Sequence, residues 1–116
     1  MVPRNRLPEM VAMVQAIAKK YEMLLPTFGH AGDGNVHPHI CYDPRNDAEA
    51  AKVPLIKDEI YHAAISLGGS ISGEHGVGIV KKGLAPLQHS ELALRIMQGL
   101  KSVFDPDNIL NPGKAF

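Results

Sequence analysis

Tryptophan is absent from the chain, and tyrosine and phenylalanine number three each. A binding site built on aromatic stacking is therefore not expected. The single cysteine, Cys41, excludes an internal disulfide framework and cannot by itself build a thiolate metal cluster. Charge of either sign is not in excess: 12 Lys and Arg stand against 12 Asp and Glu. Nucleic acid and anionic membranes both select for a surplus of basic residues, so neither is an expected partner. No apolar run approaches the roughly 18 residues of a membrane span. The first ten residues, MVPRNRLPEM, lack the apolar core of a secretory signal. These absences lead to the expectation of a soluble cytoplasmic domain.

The composition is that of a globular domain, with 45% hydrophobic and 21% charged residues. A length of 116 residues fits one compact domain with no room for a second. Leu7, Met10, Val11, Val14, Ile17, Ala18 and Tyr21 recur at three- and four-residue spacing, which predicts a helix with one buried face. Pro8 suits its first turn, where the missing N–H is not needed. Leu24 to Gly29 reads as a short strand, and a glycine-rich turn, Ala31-Gly-Asp-Gly-Asn35, follows. Val36, Pro38, Ile40 and Tyr42 then alternate with His37, His39 and Cys41, the period of a second strand. Pro38 cannot donate to a ladder, so that strand belongs at an edge or starts late.

Asp43 to Asn46 is a turn, and a helical stretch follows it, clearest from Pro54 on, with Ile56, Ile60, Ala63, Ala64 and Leu67 on one face. Gly68 and Gly69 end it. Ser70 to Gly78 is glycine-rich and reads as a brief strand leading into a loop. Ser90 caps a last helix carrying Leu92, Ala93, Ile96, Met97, Leu100, Val103 and Phe104. Three helices and two or three strands that do not strictly alternate predict an α+β fold, a small antiparallel sheet backed by about three helices. A Rossmann arrangement is not expected, because the glycine-rich turn leads into a strand and offers no helix N-terminus to a pyrophosphate.

Three segments carry residues capable of chemistry. In Gly29-His-Ala-Gly-Asp-Gly-Asn-Val-His37, a hairpin would bring His30 and His37 near its closed end, where two imidazoles suit zinc, manganese or iron. A hairpin whose histidines are half-buried and merely hydrogen-bonded has the same spacing. In Ser72-Gly-Glu-His-Gly-Val-Gly78, Glu74 could supply a third ligand and His75 a general base, since imidazoles titrate near neutrality. A surface loop with a solvated Glu–His pair is the competing reading. The tail, Phe104 to Lys114, reads as a helix stop and turns; Asn111 and Lys114 could meet an anion or cofactor, or simply be solvated. Asp33 reads as a turn former, His62 as structural, His89 as exposed and Cys41 as a small core residue.

Taken in order, GHAGDGNVHP, SGEHGVG and DPDNILNPGK resemble the C-terminal domain of FAD-linked oxidases, over roughly Phe28 to Lys114. That family includes D-lactate dehydrogenase, the flavin subunit of glycolate oxidase and D-2-hydroxyglutarate dehydrogenase. The resemblance implies the C-terminal part of a flavoenzyme of the vanillyl-alcohol-oxidase type, which oxidises a small 2-hydroxy acid to the 2-oxo acid with hydride transfer to FAD. It implies that His30, His37 and Glu74 match the ligands of a divalent zinc, manganese or iron ion, and that His75 matches the residue that takes the hydroxyl proton. Asn35 and Asn111 match positions expected near flavin or substrate and, with Glu74, make up the cofactor-binding set. His39 stands where hydroxyglutarate-type members usually carry Asn, which favours lactate- or glycolate-like substrates over a dicarboxylate.

The family holds FAD mainly through a larger N-terminal domain, and the 116 residues supply none, so this chain is expected to be a truncation or one piece of a split enzyme. The partner would be an FAD-binding domain or subunit, and an exposed face where it docks could drive self-association. A non-redox divalent-metal-binding module, or an assembly domain with purely structural histidines, is the alternative. The chain alone is expected to show no turnover of D-lactate in a dye-reduction assay; vigorous oxidation without an added flavin domain would contradict this.

Overall fold

The computed structural model of the protein describes residues 1–115. They separate into two compact units, one ending at Gly73 and the other beginning at Glu74. The architecture is α+β, as the pattern predicts.

In the first unit, helix α1 spans Leu7–Tyr21, with Pro8 in its first turn. Its three- and four-residue spacing buries Met10, Val14 and Ile17. Glu22 adopts the left-handed conformation that ends the helix. Helix α2 spans Asp47–Ser66, directly after the Asn46 turn, where the sequence places a helical stretch. The reason is the cap: the Asn46 side chain accepts the N–H groups of Ala48 at 3.1 Å and Glu49 at 3.3 Å. A proline interrupts only one helical hydrogen bond, and Pro54, on the exposed side of α2, is carried through. Gly68, at φ 73°, closes the helix as expected.

Strands β1 (Thr27–His30) and β2 (Asn35–Pro38) form a two-stranded antiparallel sheet. Their pairs are Thr27 with Pro38, Phe28 with His37, Gly29 with Val36 and His30 with Asn35. An isolated bridge, Leu24 with Cys41, extends the same register. Both strands are shorter than the alternation suggests, and Pro38 ends β2, where its missing N–H breaks the ladder. Gly34 turns the chain between them at φ 71°; a Cβ there would lie 2.0 Å from the Val2 carbonyl oxygen, to whose residue Gly34 also accepts a hydrogen bond of 2.8 Å.

Val2, Met10, Val14, Ile17, Met23, Leu25, Ile56, Ala63, Ala64 and Leu67 form the core, with Val36 and Ile40 packed against it. Polar clamps join α1 to α2: Glu59 accepts from Lys20 at 2.5 Å and from the Tyr21 hydroxyl at 2.6 Å, and Lys52 donates to the Tyr21 carbonyl at 2.9 Å.

Three expectations change. Cys41 is exposed rather than a core residue, because the strand alternation that turns Ile40 inward turns Cys41 out. His89 is half-buried rather than exposed. Ser70 to Gly78 forms no strand among the described residues; bends and turns occupy it.

In the second unit, α3 (Ala85–Gln88) leads to α4 (Glu91–Phe104). Ser90 caps α4 as predicted, its hydroxyl accepting the Ala93 N–H at 3.2 Å. Asp105 ends the helix buried, its carboxylate paired with Lys101 and accepting the N–H groups of Ile109 at 2.9 Å and Leu110 at 3.0 Å. One buried side chain thus folds the tail back. The apolar stripe of α4 is amphipathic as read, yet Leu92, Ile96, Leu100, Val103 and Phe104 are all exposed.

Ile56 is fully buried between the helices, and Ile56→Ala is expected to destabilise the chain by about 2–5 kcal/mol in urea unfolding. The hydrogen bonds from Lys20 and then Tyr21 hold the Glu59 carboxyl below its usual range. A depressed carboxylate contributes stability that is present above the unfolded pKa and lost as pH falls through the folded one. Glu59→Gln is therefore expected to melt below the parent at neutral pH, with the gap closing under acid; a gap that stays constant with pH would contradict the assignment.

Candidate functional site

The register that builds the sheet also sorts its side chains. Residues of one pair share a face, and faces alternate along a strand. Val36 therefore turns to the core, while His30, Asn35, Phe28, His37 and His39 share the outward face. The His30 and His37 rings meet edge-on, centroids 5.4 Å apart. Phe28 lies 6.1 Å from His37 and 4.5 Å from His39. Four rings thus run in a ladder across one side of the hairpin. The sequence reading singled out the two histidines; Phe28 and His39 as ring neighbours were missed, although the period of two already placed His39 on the face of His37.

Glu74 follows Gly73 directly in the chain. One ligand atom each from His30, His37 and Glu74 lie within 4.8 Å of one another. Metal–nitrogen and metal–oxygen bonds of about 2.1 Å hold two ligands of one ion at most ~4.2 Å apart, so small side-chain rotations would close the set around a single ion. Two imidazole nitrogens and a carboxylate suit zinc, manganese or iron. The donors leave positions open on the solvent side, since His30 and Glu74 are exposed and His37 is half-buried.

His75 stands beside Glu74, its Nε2 at 3.6 Å from the glutamate Oε1. Asn35 opens β2 opposite His30 and is buried. The tail of the second unit is more than a solvated run of turns. Ala115 donates to the Gly78 carbonyl at 2.8 Å, and the Lys82 ammonium reaches the Gly113 carbonyl at 3.3 Å. Asn111 is exposed in a left-handed turn, and the Lys114 side chain bonds to the Pro112 carbonyl at 3.4 Å. Burial lowers the pKa of Lys81, on the segment that holds the tail.

A histidine-bearing hairpin followed by Gly-Glu-His defines a domain class, and comparison with known proteins agrees. The chain matches the family described as FAD linked oxidases, C-terminal domain, over residues 1–115, and it belongs to that family. It is 47% identical over 115 residues to the glycolate oxidase subunit GlcD of Bacillus subtilis (strain 168), covering 99% of this chain and 24% of that protein. It is 40% identical over 114 residues to a D-lactate dehydrogenase of Anaerostipes hadrus, covering 97% of this chain and 24% of that one. The glycolate oxidase subunit GlcD of Escherichia coli (strain K12) is 35% identical over 113 residues, with 97% and 23% covered. The chain thus spans about a quarter of the length of these relatives. Among the described residues, no helix is long and apolar enough to cross a membrane.

If the ring ladder and Glu74 form one site, zinc added to the metal-stripped chain is expected to shift the imidazole carbon and proton resonances of His30 and His37 together, leaving His62 unmoved on α2, where it bonds to the Asp58 carbonyl. Equal shifts at all three histidines would indicate indiscriminate binding.

Proposed function

We propose that the chain is the metal- and substrate-side portion of an FAD-dependent enzyme that oxidises a small 2-hydroxy acid, of the lactate or glycolate kind, to its 2-oxo acid. The observation that carries the proposal is the proximity of one ligand atom each from His30, His37 and Glu74, in a chain similar along nearly its whole length to a glycolate oxidase subunit and a D-lactate dehydrogenase.

In this reading His30 and His37 donate imidazole nitrogens and Glu74 a carboxylate oxygen to a divalent zinc, manganese or iron ion. Such an ion supplies Lewis acidity toward a 2-hydroxy carboxylate, and bound FAD supplies the hydride acceptor. The chain's own contribution is placement and proton handling. The hairpin holds the two imidazoles on a rigid ladder, and Phe28 and His39 wall the next rungs toward the substrate side. His75, adjacent to Glu74, accepts the substrate hydroxyl proton at Nε2 as C2 is oxidised. Asn111, on the tail, and Asn35, on the hairpin, lie near the flavin or substrate in this reading. His39, in place of the Asn usual in hydroxyglutarate-type members, is the reason for preferring lactate or glycolate over a dicarboxylate.

FAD itself would be held mainly by a partner domain or subunit, matching the larger share of the relatives' length that this chain does not cover. The exposed stripe of α4, from Leu92 to Phe104, is an apolar surface of the kind that such partners or a second copy cover. We place the domain in the cytoplasm on the even charge balance of its sequence.

The direct test is calorimetric titration of the metal-stripped chain with zinc and with manganese. One-to-one saturable binding is expected, weakened at least tenfold by Glu74→Ala, since removing one of three protein ligands costs more than the ~10–100-fold of an outer-shell change. Recombined with its flavin domain, the His75→Ala variant is expected to bind metal normally yet lose oxidation of D-2-hydroxy acids by about 100-fold or more. Binding insensitive to Glu74, or full activity without His75, would refute the reading.

A further inference from the structure

Asn35 and Asp105 are the two buried polar or charged residues described, and Asn35 is only 8% exposed. Asp105 has an evident task in folding the tail. Asn35 lies on the ligand face, directly across the ladder from His30, and what covers it is Gly73. A Cβ built on Gly73 would fall 2.2 Å from the Asn35 Oδ1, 2.6 Å from its Cγ and 2.9 Å from its Nδ2. Contacts that short do not occur between real side chains, so any residue but glycine at 73 must displace either itself or the carboxamide.

The demand for glycine is steric and not conformational. Gly73 is not among the residues with positive φ, whereas Gly68, Gly76 and Gly78 are. An alanine would find an acceptable backbone at 73 were Asn35 not there. The rest of the segment is equally fixed. Ser70 donates its N–H to the Met1 carbonyl at 2.8 Å, its hydroxyl bonds to the Ser72 carbonyl at 3.0 Å and accepts the Ser72 N–H at 3.2 Å, and Ile71 is buried. Residues 70 to 73 are therefore seated at three points, the last of them the Asn35 side chain. Glu74 comes next along the chain, with no rotatable side-chain length between the seat and its own Cα.

We propose that Asn35 is a positioning residue for Glu74, acting through the close contact with Gly73 that directs the chain, and hence the carboxylate, toward His30 and His37. The inference rests on the metal reading given above. It assigns the buried carboxamide a role that needs no contact with metal, flavin or substrate: Asn35 sets the height at which the backbone crosses the hairpin, and Gly73 lets it cross closely enough.

The contact makes a sign-specific prediction for metal affinity, measured with zinc on the chain and its variants. Gly73→Ala is expected to weaken zinc binding about tenfold or more, the scale of an outer-shell disturbance. Asn35→Ala, which removes the seat, is expected to weaken it by a smaller factor. The double variant, in which the new methyl group enters the space the carboxamide leaves, is expected to bind more tightly than Gly73→Ala alone. If the two positions did not act through their contact, the losses would instead add. Gly73→Ala binding like the parent, or a double variant no better than Gly73→Ala, would overturn the inference. Should Gly73→Ala fail to fold by circular dichroism, Asn35→Ser carries the test: weakened zinc binding at an unchanged melting temperature supports positioning, and unchanged binding overturns it. A parent chain whose zinc binding ignores Glu74→Ala would instead remove the metal reading itself, and this inference with it.

Discussion

The rest of the first unit depends on the register between Thr27–His30 and Asn35–Pro38. A shift of one residue would carry Val36 out of the core and turn the histidines inward. Three constraints hold the register in place. Val36 and Ile40 are drawn to the core made by Val14, Ile17 and Ile56. The bridge between Leu24 and Cys41 continues the pairing beyond Pro38. Gly34 turns the chain where any side chain would strike the Val2 carbonyl. A marginal two-stranded sheet, too small to be stable alone, is thereby made rigid enough to carry chemistry on its outer face.

That rigidity explains the division of labour around the site. Two of the proposed ligands, His30 and His37, sit on strands, where geometry is set by backbone hydrogen bonds, and the proposed third, Glu74, follows a glycine close to a buried asparagine. Loops place side chains less accurately than strands do, and the structure compensates by tying Ser70 to Gly73 down at several points before Glu74 begins. The helices serve as a platform. The Lys20, Tyr21 and Glu59 cluster joins α1 to α2 at their exposed margin, while burial of Ile56 and Val14 between them provides the apolar anchor.

The second unit follows a different logic. Its long helix is well capped by Ser90 and closed by Asp105, and its tail is pinned to Gly78 and Lys82. Its apolar stripe nevertheless stays in water, with Phe104 and Val103 about three-quarters exposed or more. Local capping and tail-to-loop hydrogen bonds can define such a unit without a large core.

Much of this was legible in the residues alone. Periodicity located α1 and α4, Ser90 announced its cap, and alternation located the hairpin, because each of these signals depends on neighbours within a few positions. The three ordered motifs pointed to the family. The helix after the Asn46 turn was legible as well, though the partners of the Asn46 cap become visible only in three dimensions. Cys41 reads as core by residue type, and only the register shows that it faces out with Leu24. Nothing in the sequence marks Gly73 as sterically required or Asn35 as the reason, because the two are 38 positions apart. The sequence determined which segments would be helix, strand and turn, through forces that act locally. Tertiary structure decided which face of each is covered and which distant groups meet, because burial and close contact are properties of the packed chain.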